Sequence, residues 1–144
     1  MGQRPIILDG GMGRELLRMG APFRQPEWSA LTLIEAPQFV ARAHAAFVAA
    51  GAEVLTTSNY AVVPSSLGAA RFAAEGSRLT DLAGGLARAA AARAERPIRV
   101  AGSLPPLFGS YRPDRFDPAA AEPVLARLVG RVRPSQVVGA RSGR

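Results

Sequence analysis

Three short apolar runs of strand type constrain this chain more than any other feature. Pro5 to Asp9 (PIILD), Glu53 to Thr57 (EVLTT) and Ile98 to Gly102 (IRVAG) are each followed by a loop and then a helical pattern. Continuous apolar runs, rather than strict alternation, predict strands buried on both faces, as in a parallel sheet. The segments between them read as helices. Arg14 to Met19 is a short one stopped by Gly20, and a longer one starts at Pro37 and runs to Ala50, with Gly51 just past its end. In that second helix Phe39, Val40, Ala43, Phe47 and Ala50 fall at helical spacing. A third helix is expected from near Ser77, with Leu79, Leu82, Leu86 and Ala90 on one side and a weakening Gly84-Gly85 pair. A fourth follows Asp117-Pro118 and carries Ala121, Val124, Leu125 and Leu128. The order β-α-β-α-β-α is that of an α/β protein built from parallel βα units.

The strand runs begin at residues 5, 53 and 98. That spacing is long for a simple doubly wound domain, and the extra length lies in the loops after the strands. Loops at the carboxyl ends of parallel strands are where such folds place their chemistry. After Leu128 the pattern decays. Residues 131–144 read as an irregular basic tail, or as translation of GC-rich DNA in the wrong frame, so a folded unit is expected over residues 1–130.

Charge and composition exclude several function classes. The net charge is +7, and all 18 basic residues are arginine. From Pro123 to Arg144 there are five arginines and no acid, so the excess lies in one terminal stretch without aromatics. A nucleic-acid-binding face would spread its basic residues among polar and aromatic partners, and none is expected here. No apolar stretch approaches the roughly 20 residues of a spanning helix, and Ile6-Ile7-Leu8 is too short for a signal-peptide core; a cytoplasmic protein is expected. There is no cysteine. A disulfide scaffold, a cysteine nucleophile and a zinc site made from this chain's own thiolates are thereby excluded.

The residues that could carry chemistry sit after the strand runs. Asp9-Gly10-Gly11-Met12-Gly13 follows the first. A strand-end carboxylate can take an ammonium group, and glycines let a backbone pass close to a ligand. The same stretch also fits a tight turn needing positive φ. Gly11-x-Gly13 opens a dinucleotide fingerprint, but its third glycine would fall at Leu16. Thr57-Ser58-Asn59-Tyr60 ends the second run and fits either hydrogen bonding to a small polar ligand or a solvated loop. Trp28 fits a core plug or a ligand wall. His44, mid-helix between alanines, reads as a packed or hydrogen-bonded residue. The loop from Gly102 to Asp114 is too apolar for a linker and could cover a pocket or cap the sheet end.

Taken in order, these segments resemble the amino-terminal part of the homocysteine S-methyltransferase family. The resemblance rests on Leu8-Asp9-Gly10-Gly11-Met12-Gly13-x-Glu15-Leu16, on Trp28-Ser29-Ala30, and on Pro37 and His44. It continues with Ala50-Gly51-Ala52-Glu53-Val54-Leu55-x-Thr57-x-x-Tyr60 and with Gly102-Ser103-Leu104-Pro105-Pro106, covering residues 5 to 128. Arg14 departs from it, standing where the family often has threonine.

The resemblance implies a (β/α)8 TIM barrel, of which this chain would hold the first three or so units, truncated well short of the about 250 residues the fold usually takes. It implies methyl transfer from a sulfonium, betaine or folate-type donor to the thiol of homocysteine, giving methionine. Asp9, Gly10 and Gly11 would hold the amino-acid end of homocysteine, with Thr57 contributing from the second strand, and Trp28 and Tyr60 would lie near the donor. The family's zinc is held by three cysteines from later strands, which this sequence lacks. No catalytic or metal-binding residue is therefore assigned, and the chain alone is expected to be inactive. Three strands would leave an unpaired edge, so a complementing barrel fragment or a second copy is an expected partner. The alternative is a standalone α/β domain binding a small amino acid or nucleotide.

Overall fold

The computed structural model describes residues 4–108 and 112–129. Helices α1 (Met12–Arg18), α2 (Ser29–Glu35) and α3 (Pro37–Ala49) precede strand β1 (Val54–Thr56). Helices α4 (Pro64–Leu67) and α5 (Ala69–Ala92) lead to β2 (Arg99–Ala101), and α6 (Pro118–Val129) follows a single 3-10 turn at Pro113–Arg115. The strands β1 and β2 are parallel, with Val54 opposite Arg99 and Thr56 opposite Ala101. On the other side of β1 the first apolar run pairs only through a parallel bridge from Leu8 to Val54. The Asp9 N–H donates to Val54 O (3.0 Å) and the Glu53 N–H to Ile7 O (2.7 Å). The spatial order is therefore the sequence order, and all three segments run in one direction. This is the α/β parallel arrangement expected from the sequence, although the first run is extended backbone with one bridge rather than a full strand.

Burial on both sheet faces does not hold. Ile6, Ile7 and Leu8 are 52%, 51% and 64% exposed, while β1 and β2 bury Leu55 but leave Thr56, Arg99 and Ala101 exposed. The apolar side chains of the first run have no packed layer over them among the described residues. The main core lies on the helical side, where Leu16, Leu33, Val40, Val62, Leu79 and Leu128 are all but fully buried. A smaller cluster of Ala52, Leu55, Ala91 and Ile98 joins the sheet to the ends of α3 and α5.

Local sequence explains the elements. Pro37 opens α3, and the chain leaves it through Gly51 at φ +105°, a left-handed conformation that glycine adopts without a steric cost. Gly20 at φ +71° ends the turn after α1 in the same way. The fifth helix begins at Ala69, eight residues before the expected start at Ser77, because Phe72 and Gly76 already belong to its buried stripe. That stripe continues through Leu79, Ala83, Ala87 and Ala91, one position away from the expected Leu82, Leu86 and Ala90, which are only partly buried. Small residues face inward where two helices pack closely, and the leucines flank the contact. Gly84 is one of those inward residues, so the glycine pair does not break the helix. At the start of α6 the Asp117 carboxylate accepts from the backbone N–H of Ala119 at 3.0 Å, an N-terminal cap of the usual kind.

The amino-terminal ends of the strands are tied by arginine. Arg4 makes a bidentate pair with Glu53 at 2.7 and 2.8 Å, and Glu53 also accepts from the Ile7 N–H at 3.2 Å. Donation from Arg4 and Ile7 holds the Glu53 carboxyl at a pKa of about 2. Arg96 donates to the carbonyls of Ala52 (2.8 Å) and Val48 (2.6 Å), closing the end of α3 onto the segment before β2. Among the described residues no helix is long and apolar enough to cross a membrane. The basic tail at residues 131–144 lies outside the described residues.

Candidate functional site

The carboxyl ends of the three parallel segments open onto a cavity of about 730 Å³. Asp9 reaches it from the first run and is held by the neighbouring strand: Oδ2 accepts from the Thr56 N–H at 2.6 Å, and Oδ1 accepts from Thr56 Oγ1 at 2.9 Å. Thr56 N has no neighbour in the ladder on that side, so the carboxylate fills the place of a strand carbonyl. Each carboxylate oxygen takes one donor among the described residues and keeps further acceptor capacity, and Asp9 lines the cavity. Asp9 is the one carboxylate and no arginine is present among the described residues that line the cavity. The net charge of the chain is thus not expressed here, and the wall favours a ligand carrying positive charge.

Gly10 follows Asp9 directly and lies against α3. A Cβ there would stand 2.9 Å from Cε1 of Phe47, so any larger residue would have to push this ring aside. Gly13 has the same relation to Phe23, at 3.2 Å. Neither Gly10 nor Gly11 has positive φ, so the tight-turn reading of this stretch does not hold; close approach is the reason for Gly10. Gly11 precedes α1 at φ −69° with only ordinary contact to Arg14.

Beyond β1 the chain is clipped to the loop after β2. Thr57 Oγ1 donates to Asn59 Oδ1 at 2.6 Å and accepts from the Ser103 N–H at 2.9 Å, and Asn59 Nδ2 donates to Ser103 O at 3.0 Å. Thr57 and Asn59 are buried, Asn59 fully, and Ser103 is partly buried. The segment is therefore not a solvated loop. Thr57 borders the cavity, but its hydroxyl proton is already committed. Part of the loop from Gly102 to Asp114 does border the cavity, through Ser103 and Pro106, while Leu107 enters the core; residues 109–111 lie outside the described residues.

An aromatic wall completes the cavity. Trp28 is 45% exposed, so it is no core plug, and its ring meets Phe23 edge to face at a centroid distance of 5.9 Å. Its backbone has φ 51° and ψ −130°, a conformation rare for a bulky residue. The strain is held by the Trp28 N–H donating to Arg24 O at 2.7 Å and by Thr32, whose hydroxyl donates to the Pro22 carbonyl. Tyr60 stands across the cavity, half exposed.

Of the sequence-derived residues, Asp9, Gly10, Thr57, Trp28 and Tyr60 line one cavity, and Gly11 lies beside it at the start of α1. Ser58 and Ser103 also line it, within the polar run after the second strand and the loop from Gly102 that the sequence singles out, while Thr56 and Phe23 were missed. Thr56 could have been found from register, because a strand-end carboxylate and the polar residue on the adjacent strand end share one sheet edge.

His44 packs in the core with no exposed surface and no hydrogen bond to either ring nitrogen among the described residues. Burial pushes its pKa down to about 4, opposed by the charge of Asp9. No group of three potential metal ligands occurs among the described residues. With no cysteine in the sequence, and Asp9 the only carboxylate among the described residues on the cavity wall, these residues do not make a thiolate zinc site.

An α/β fold with its polar groups gathered at the carboxyl ends of parallel strands defines the broad class. Comparison with known proteins makes it specific. The model of the homocysteine S-methyltransferase family matches residues 6–125, and the chain belongs to that family. Homocysteine S-methyltransferase of Escherichia coli (strain K12) is 34% identical over 116 residues, covering 76% of this chain and 37% of that protein. Homocysteine S-methyltransferase 1 of Brassica oleracea var. italica is 40% identical over 62 residues, 42% of this chain and 19% of that one. The crystal structure of the homocysteine methyltransferase MmuM from Escherichia coli, in its metallated form, superposes with a TM-score of 0.68 at 28% identity, covering 90% of this chain and 51% of that one. The chain thus spans well under two thirds of the proteins it matches.

Proposed function

We propose that residues 1–130 form the homocysteine-binding part of a methyltransferase, namely the first three or so βα units of a (β/α)8 barrel. The observation that carries this reading is the Asp9–Thr56 clamp, which presents a carboxylate at adjacent strand ends to a cavity with no cationic side chain on its described wall. Asp9 takes the ammonium group of homocysteine, and Gly10 and Gly11 bring the backbone close to its amino-acid end. Thr57 supports this site by fixing the loop after β1. Trp28 and Tyr60 face the methyl donor, whose sulfonium or quaternary ammonium charge suits an aromatic face.

In the reaction the homocysteine sulfur attacks the donor methyl carbon, and the bond from that carbon to the donor atom breaks with its electron pair leaving on the donor. The thiolate is the reactive form, and a free thiol of pKa about 8.5 is mostly protonated at neutral pH. In the family zinc supplies that activation. The residues described here do not hold it, so this chain binds substrate and does not turn it over; catalysis requires further strands carrying thiolates, whether on the same polypeptide or on a complementing fragment.

Calorimetric titration of the chain with L-homocysteine, beside NAD and ATP, tests the reading. Homocysteine binding without nucleotide binding is expected. Tight nucleotide binding in place of homocysteine would instead favour a standalone nucleotide-binding domain.

A further inference from the structure

Three buried side chains carry polar atoms without a hydrogen-bond partner among the described residues: Glu27, His44 and Ser58. Only Ser58 borders the cavity. It is 4% exposed and lies between Thr57 and Asn59, whose own polar groups are bound to each other and to Ser103. The clip that consumes those neighbours leaves the Ser58 hydroxyl as the uncommitted donor of this segment. Burying a hydroxyl with no partner is unfavourable, and such a group at a cavity wall is explained when a ligand completes it.

The charges on the wall say which part of an amino acid that would be. Asp9 suits the ammonium group. The carboxylate, with no arginine among the described lining residues, must be met by neutral donors. We propose that Ser58 is the carboxylate-recognition residue of this site, its side chain turning about χ1 from the covered position it holds here so that Oγ–H donates to the α-carboxylate of the amino-acid substrate. This rests on the homocysteine reading above and adds a requirement for the free carboxylate.

The test uses the full chain, its S58A variant and two ligands, L-homocysteine and 3-aminopropane-1-thiol, which lacks the carboxylate. Loss of one hydrogen bond to a charged group should weaken L-homocysteine binding to S58A by about tenfold, with affinity for the aminothiol unchanged. Because the Ser58 hydroxyl has no partner among the described residues, the melting temperature of unliganded S58A should equal or exceed that of the parent. A fall of several degrees would assign Ser58 to the scaffold and overturn the proposal. Equal weakening for both ligands, or no weakening, would overturn it while leaving the homocysteine reading intact. If the parent chain binds the aminothiol and L-homocysteine equally, carboxylate recognition is refuted. If it binds neither, the homocysteine reading fails and the proposal falls with it.

Discussion

Thr57 shows how much a single hydroxyl settles at the strand ends. It donates to Asn59 and accepts from Ser103, so Thr57→Val keeps the shape and leaves two groups unpaired. The expected loss is about 1–3 kcal/mol of stability, seen as a lower urea midpoint; an unchanged midpoint would mean the clip is dispensable. The sequence placed Thr57 at the ligand and passed over Thr56, which touches Asp9. A three-residue strand is too short for its alternation to reveal which side chain faces which way, and a shift of one residue exchanges the faces. His44 gives a second residue-scale expectation. Its pKa is lowered to about 4 from 6.5 by burial, so the unfolded chain binds the proton first as pH falls. The stability held by the neutral ring is full above pH 6.5 and is lost progressively down to about pH 4. Between pH 7 and pH 5 this amounts to about 2 kcal/mol. Urea unfolding at both pH values should show the drop in the parent and most of it gone in His44→Gln; identical drops in the two would refute it. Glu53, with its carboxyl pKa near 2, contributes in a lower window, present above pH 4.5 and lost as pH falls toward 2.

At the scale of elements, the long helices and the parallel order were legible because apolar spacing and terminal glycines mark them. The short helices α2 and α4 were not. Each has seven residues or fewer, too few for periodicity to declare itself, and α2 is entered through the strained backbone of Trp28. The early start of α5 was hidden because its first buried residues, Phe72 and Gly76, are separated from the leucine pattern by polar positions. Gly76 is required there, since a Cβ would stand 2.8 Å from the Phe72 ring. Gly85 is different: nothing lies within 4 Å of a Cβ built on it, and its backbone is helical. Gly85→Ala should therefore raise stability by about 0.5–1 kcal/mol, read from thermal unfolding. A loss would mean that the helix needs the glycine for a reason other than space.

For the whole molecule, the first run leaves Ile6, Ile7 and Leu8 exposed at the edge of the sheet. An unpaired, apolar edge segment templates association. Replacing Ile7 by lysine, which leaves its backbone bonds to Glu53 intact, should raise the concentration at which light scattering detects aggregates by several-fold, on the order of one buried aliphatic side chain. No change would mean that this edge does not drive association. The two ends of the sheet are also held by unlike means. Arg4, Glu53 and Arg96 tie the amino-terminal ends, while Asp9, Thr56 and the Thr57–Asn59–Ser103 clip shape the other. Both ends therefore hold the scaffold, by means that ionic strength tells apart. Rising salt screens the exposed Arg4–Glu53 pair and spares the neutral hydrogen bonds of Thr57, Asn59 and Ser103, so it loosens one end of the sheet and leaves the other closed.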